Sequence, residues 1–277
     1  MTAASMSEFR SLAREVGNRG RWGRDDELGT LNFISEEDVR EASASVRRGA
    51  VIPLGIDFGT GGARAGPHVR AASRWDTISH VYYDEQLHSG LPAGSVTSAG
   101  AYPGGIDKND GKGVAARGVL LDVAGHRGPD AMLDPTAPVE PAELDAVAAA
   151  QGVTVRTGDV VLVRTGWASR FRRTRNPAEP FYGLGWRCAG WLHGHQIAAV
   201  AADNAMVENP VFGVTDSLLP LHRLCLRDMG MMFGEFWDLD ALAADCAADG
   251  VYSFLLVAPS SRVAGAIGSA VNPIAFK

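Results

Sequence analysis

Five short runs of apolar, largely β-branched residues set the tightest limit on how this chain can fold. They are Val51-Ile-Pro-Leu54, Gly118-Val-Leu-Leu-Asp-Val123, Asp159-Val-Val-Leu-Val-Arg164, Ile197-Ala-Ala-Val-Ala201 and Val251-Tyr-Ser-Phe-Leu-Leu-Val257. Runs this short and this branched fit a pleated surface covered on both faces, so they read as buried strands. Helix signals lie between and around them. Glu8 to Val16 is a short amphipathic stretch closed by Gly17. Ser35-Glu-Glu-Asp38 resembles a capping box that opens a helix to Arg48, stopped by Gly49. Pro141 suits the first turn of a helix through Ala150, and Asp238 can cap Leu239 to Ala248 with Gly250 as its stop. Strands interleaved with helices make the chain α/β. The helices are too few for an eightfold barrel. Gly100-Ala-Tyr-Pro-Gly-Gly105 is a turn cluster, not a phosphate-binding fingerprint, which disfavours nucleotide cofactors.

Composition removes further classes. The 277 residues include 32 acidic and 26 basic ones, with no basic stripe, so a nucleic-acid partner is not expected. Arg170-Phe-Arg-Arg-Thr-Arg175 runs into Asn176-Pro177 and reads as a solvated loop. Three widely spaced cysteines without a CxxC argue against a disulfide framework or a thiolate zinc site. No run approaches eighteen apolar residues, and Met1 to Arg10 has no apolar signal core, so the expectation is a soluble, cytoplasmic protein without a membrane partner. The 33 glycines call for many tight turns or for backbone passing close to something.

The densest polar constellation lies between His68 and Tyr83. Arg70, Arg74, Asp76 and His80 fall at even spacings, so in an extended chain all four project from one face. Such a face suits a site that binds an anion or oxyanion, or else an exposed sheet surface with an Arg–Asp pair.

At Ser73-Arg-Trp-Asp-Thr-Ile-Ser-His-Val81 the chain resembles the Putative cyclase family, which includes bacterial kynurenine formamidases and isatin hydrolase. The family signature is HxGTHxDxPxH, and one branch reads TQWDALSHV at this place. Asp76 and His80 match the aspartate and the last histidine of the signature. Trp22-Gly-Arg-Asp-Asp-Glu-Leu-Gly-Thr-Leu-Asn32, Gly158 to Trp167, Asp203-Asn204 with Glu208, His222 through Glu235, and Gly268 to Ala275 resemble other family segments. In metal-dependent members the two leading histidines and the aspartate bind zinc or manganese, together with a later histidine and glutamate that match His222 and Glu235. Here arginines, Arg70 and Arg74, stand where the leading histidines are expected. A guanidinium stays protonated and offers only donors, so it cannot ligate a cation.

The resemblance and the two arginines that depart from it leave two site chemistries open. In the first, no cofactor is needed. His80 is the general acid–base, Arg74 or Arg70 holds a substrate oxyanion or carboxylate, and Asp76 and Glu235 pair with the arginines. In the alternative, Asp76, His222 and Glu235 form a three-ligand zinc or manganese site. Trp22, Phe33, Trp75, Tyr83 and Tyr102 are aromatic candidates for pocket walls and equally for core, and His88 is a candidate pocket residue. His193 and His195 read as the end of a helix, His126 as turn surface, and His68 as a loop residue or a substitute ligand. Met229 to Phe233 reads as buried packing. Ser217, Ser260 and Ser261 lack the setting of a nucleophile elbow. Gly268-Ser-Ala-Val-Asn272 departs from the GSPxNP of the related branch, which points to an altered substrate if that loop borders the pocket.

The implied fold is the α/β swivelling β/β/α type, with a curved central mixed sheet, peripheral helices and an extended N-terminal arm. Residues 1–32 would form the arm and residues 33–277 a single catalytic domain. A homodimer or homotetramer is expected. The implied partner is a small-molecule substrate, a cyclic or aromatic metabolite attacked at a carbonyl, with ring opening, ring closure or dehydration as the chemistry. A ligand-binding pseudoenzyme is the remaining reading.

Overall fold

The computed structural model describes residues 6–56, 72–111, 113–128, 136–176, 180–211, 214–215 and 218–277. Eleven strands run in chain order as β1 (Val51–Pro53), β2 (Arg74–Asp76), β3 (Val96–Thr97), β4 (Gly100–Ala101), β5 (Ala115–Asp122) and β6 (Val160–Arg164), then β7 (Ala199–Ala202), β8 (Met232–Glu235), β9 (Ser253–Val257), β10 (Gly268–Ala270) and β11 (Ile274–Phe276). Nine of them form one curled sheet in the order β1-β11-β9-β5-β6-β7-β8-β2-β10, and β3 and β4 make a small hairpin. The centre, β5 to β8, is parallel; every other pairing is antiparallel. The five sequence-predicted strands all lie in this sheet.

The parallel centre is apolar on both faces. Val161 and Val163 enter one hydrophobic cluster, while Val160 and Leu162 enter the other. This is why these strands carry unbroken apolar runs instead of alternation. Helices α1 (Met6–Glu15), α4 (Pro141–Ala150) and α6 (Cys188–Gly194) contribute buried side chains to the first cluster; α8 (Asp240–Asp249) contributes them to the second, against which α2 (Glu36–Ala44) packs its partly buried Val39. A short helix α3 (Val123–Arg127) follows β5 directly. The Ser35–Asp38 capping box is present, but α2 stops at Ala44, short of the expected Arg48. Phe9, Ala13 and Val16 of the N-terminal segment are buried in the first cluster, so this part of the chain is packed on the domain. Among the described residues no helix is long and apolar enough to cross a membrane.

One expectation is corrected here. The arginine-rich stretch is helical, α5 (Trp167–Thr174), and not a solvated loop. Trp167, Ala168 and Phe171 recur at helical spacing and are buried, while Arg172 pairs with Asp238 and Asp240. The apolar stripe outweighs the run of charges.

Candidate active site

The candidate residues meet where β2 lies against β8. Backbone pairing sets Arg74 opposite Glu235 and Asp76 opposite Phe233, and on its other side β2 pairs Asp76 with Gly268 of β10. Alternation sends Trp75 into the core on one face and leaves Arg74, Asp76 and Glu235 together on the other. The Arg74 guanidinium forms an ion pair with Glu235 through Nη2, and its Nε lies 3.4 Å from Asp76 Oδ1. The Phe236 ring lies beneath it, 5.5 Å from the guanidinium carbon. Ser73 anchors the start of β2 by donating to the Phe236 carbonyl at 2.6 Å and accepting from the Ile56 amide.

His80 reaches this cluster by a different route from the expected one. The extended segment lasts only three residues, and the His80 amide then bonds the Thr77 carbonyl at 3.0 Å in a turn. That turn is pinned by Ser79 Oγ donating to the Gly104 carbonyl. It brings His80 Nδ1 to 3.7 Å from Asp76 Oδ1, close enough for electrostatic influence but beyond a hydrogen bond. Strand alternation therefore relates Arg74 to Asp76 but not to His80. Arg70 and His68 lie outside the described residues.

His222 ends helix α7 (Pro220–His222), which continues into a π-helix, Arg223–Met229. Its imidazole is buried between two carboxylates. Glu208 pairs with Nδ1, and Glu235 Oε1 lies 3.6 Å from Nε2. Glu208 also accepts from the backbone amides of Leu221 (2.8 Å) and His222 (2.9 Å). The edge of the His222 ring packs on Phe233. The result is a chain of alternating groups running from His80 through Asp76, Arg74, Glu235 and His222 to Glu208.

Both carboxylates that flank His222 adjoin strained backbone. Val207, just before Glu208, has φ +56°, and Phe236, just after Glu235, has φ +57°. A β-branched or bulky residue in the left-handed region is a real outlier and costs about 1–3 kcal/mol. One residue ties both turns down, the first through its side chain and the second through its backbone carbonyl. Asn204 Oδ1 accepts from the Val207 amide (2.6 Å), its carbonyl accepts from the Phe236 amide (2.8 Å), and its Nδ2 donates to the Tyr182 carbonyl (2.7 Å).

Burial and charge set the protonation states. Burial lowers the His80 pKa below the usual imidazole value; Asp76 opposes this, and His222 and Arg74 add to it. His80 is thus neutral at pH 7. For His222 burial also disfavours the charge, but Glu208 and Glu235 outweigh it and push the pKa up to about 10. Glu235 is itself raised, chiefly by burial.

These residues do not fit a divalent ion as they stand. The guanidinium of Arg74 bridges the two carboxylates that a cation would have to share. His222 lies buried between Glu208 and Glu235, which favour its protonated form. Among the described residues no group of three or more His, Cys, Asp or Glu is arranged to hold a metal. Among the described residues Asp76 Oδ2 is buried without a hydrogen-bond partner.

The aromatic candidates and His88 divide between core and surface. Trp75 is fully buried, edge-on to Trp237, with its indole N–H on the Ala258 carbonyl at 2.8 Å, because it occupies the inward face of β2. Tyr83 is core: it packs on Phe9, and its hydroxyl donates to Asp228 at 2.5 Å. His88 is buried against Gly230, and its ring nitrogen pairs with the Arg227 carbonyl. Trp22 and Phe33 pack on each other beneath Arg21. Tyr102 is exposed and lies over Gly265. His195 caps α6 and stacks on Trp191, as its helix-end reading requires. Ser217 lies outside the described residues. A cavity of about 360 Å³ is lined by Ile56, Ala72, Ser261, Ala270, Val271 and Asn272. The departing last loop borders this cavity, and Ala270 is paired with Arg74 across β10 and β2, but Arg74, Asp76, His80 and Glu235 are not in its lining.

Glu208 and Asn204 were not singled out as site residues in the sequence. The only signal was their place in the family-like Asp203-Asn204 and Glu208 segment.

The fold and this cluster define a cyclase-type α/β protein. The family model described as Putative cyclase matches residues 34–209, and the chain belongs to that family. The match includes Arg74, Asp76, His80 and Glu208 and ends before His222 and Glu235. A solved structure described as a novel cyclase is 30% identical, with a TM-score of 0.83 over 95% of this chain and 100% of that one. Isatin hydrolase A from Labrenzia aggregata, bound to benzyl benzoate, shares the fold with a TM-score of 0.57 and 15% identity, over 85% of this chain and 95% of that one. An isatin hydrolase bound to the product analogue thioisatinate gives a TM-score of 0.54 and 16% identity, over 85% and 84%. No curated protein matches the chain.

Proposed function

We propose that the chain is an enzyme that acts at a carbonyl of a small cyclic or aromatic molecule without a metal ion. The reaction class is hydrolytic ring opening, the reverse ring closure, or dehydration. The observation that carries this reading is the placement of Arg74 between Asp76 and Glu235, next to His80, the partly exposed imidazole of the cluster. Neutral His80 takes a proton from water or from the substrate and returns it to the leaving group. Arg74 spends two of its donor directions on carboxylates; its remaining N–H groups can receive an oxyanion as it develops. The His222 imidazolium holds Glu235, and Glu235 in turn orients Arg74. A cavity of ring size lies beside Ala270, the strand neighbour of Arg74.

Two measurements test this. Metal content is determined on purified protein, and turnover of a panel of lactones, cyclic amides and their ring-opened acids is followed with and without chelator. The expected result is chelator-insensitive turnover that drops about 10²–10⁴-fold in His80→Gln. Stoichiometric zinc or manganese, lost together with activity in Asp76→Ala, overturns the metal-free mechanism. Unchanged turnover in His80→Gln removes the proposed acid–base.

A further inference from the structure

A second cavity, of about 250 Å³, opens on another part of the surface and shares no residue with the cluster around Arg74. Three segments distant in sequence build it: the end of α1 with the turn after it, the loop around Ser89, and the end of the π-helix. Each supplies charge or shape. Arg14 and Arg19 come from the first segment, Gln86, Ser89 and Gly90 from the second, and Arg227 with Asp228 from the third.

The charge there is lopsided for an acidic protein. Many arginines elsewhere, Arg10, Arg48, Arg117, Arg127, Arg164, Arg172 and Arg187 among them, hold a carboxylate, while Arg24, Arg47, Arg173 and Arg175 are scattered without one among the described residues. Arg14 and Arg19 have no such partner among the described residues. Asp228 is the one acid of the lining, and it is occupied: Arg227 Nη1 and the Tyr83 hydroxyl both donate to it at 2.5 Å. Two guanidiniums are left uncompensated around one concavity.

The backbone is also shaped for this. Ser89 has φ +58° and Gly90 φ +78°. A Cβ at Gly90 would collide with the guanidinium of Arg19, so the glycine is what lets that head group lie down on the loop. The loop is held by reciprocal backbone bonds between Tyr83 and Gln86 and by the Leu87 amide on the Leu91 carbonyl. Arg227 is fixed over the Tyr83 ring and reaches Gln86. Strained backbone, a cleared arginine head group and unpaired positive charge converge on a single cleft.

We propose that this cleft is a binding site for the oxyanion group of a small metabolite, a phosphate or a carboxylate, held by Arg14 and Arg19 against a floor formed by Ser89 and Arg227. The site stands independently of the proposed catalytic reading. Charge-assisted hydrogen bonds from guanidinium groups supply the affinity.

The test is isothermal titration of the full chain with inorganic phosphate and, separately, with succinate, at an ionic strength held constant with sodium chloride. Saturable binding at one site per chain is expected for at least one probe. Arg14→Gln/Arg19→Gln should weaken it about tenfold or more. Both positions are exposed, so the variant should keep the wild-type unfolding midpoint. Arg40→Gln, which removes an equally exposed arginine on α2, should bind like wild type. Preference for phosphate assigns a phosphorylated ligand, and preference for succinate a carboxylate. Absence of saturable binding by either probe overturns the proposal, as does equal weakening by Arg40→Gln or unchanged affinity in the double variant.

Discussion

Replacing Glu208 by glutamine probes the deepest part of the site. Glu208 is fully buried and serves three donors at once, the amides of Leu221 and His222 and the His222 ring. A glutamine has one acceptor oxygen, so its amide N–H₂ must face one of those donors. The substitution also removes one of the two charges that hold His222 as an imidazolium. The folded pKa of His222 is raised to about 10 from an ordinary 6.5. A raised histidine contributes stability that is fully present below pH 6.5 and is lost as pH climbs through 10. At 1.36 kcal/mol per pKa unit, the ceiling for that contribution is about 5 kcal/mol. Sharing it among coupled neighbours lowers the expected loss to about 2–4 kcal/mol for Glu208→Gln at pH 6. Urea unfolding of both proteins at pH 6 and pH 9.5 reads this directly. Wild type should weaken over that interval, and the variant should weaken much less. A loss below about 1 kcal/mol at pH 6, or equal slopes in the two proteins, would refute the buried imidazolium.

Three other perturbations separate parts of the argument. Trp75→Ala empties the fully buried face of β2 beside Trp237 and should cost about 3–5 kcal/mol in urea unfolding; a loss under 1 kcal/mol contradicts that packing. Gly29→Ala places a methyl against the Gly230 carbonyl, an oxygen already bonded to the Thr30 amide, at a position with φ +57°; a loss of at least about 2 kcal/mol is expected, and wild-type stability would be the contrary result. Because burial lowers the His80 pKa, the base form is present above that lowered value. kcat/KM should therefore rise with pH along a limb centred below 6.5 and then level off. A limb centred above 6.5 contradicts the assignment.

The central sheet was readable from residues because β5, β6, β7 and β9 carry apolar runs whose length and branching leave few alternatives. β2, β8, β10 and β11 were harder. Arg74-Trp-Asp76 and Gly268-Ser-Ala270 are short and polar, and their strand character comes from partners far away in the chain. The same physics limited the site. The spacing of Arg74 and Asp76 signalled a shared face, and β2 provides it. The approach of His80 depends on a turn fixed by Gly104 and Ile267, which no local pattern encodes. The aromatic candidates show the converse. Trp75 and Tyr83 sit beside the site residues in sequence, yet strand alternation and a buried hydroxyl partner take them into the core. In α5 a stripe of three buried apolar side chains decided a segment whose charges suggested solvent.

The knot around Asn204 bears on how such a protein can be altered. Its three anchoring bonds place two left-handed residues, and those in turn place the carboxylates on either side of His222. The charged interior is therefore inherited as one block: an exchange at Asn204 frees the Val207 turn beside Glu208, while the backbone carbonyl at 204 still holds Phe236. The cavity beside Ala270 is bordered by short side chains at Ala72, Ser261 and Ala270, whose exchange leaves that block untouched. Laboratory evolution towards new substrates should accumulate changes along this rim and spare Asn204, so the division of labour between chassis and tooling is written into the backbone.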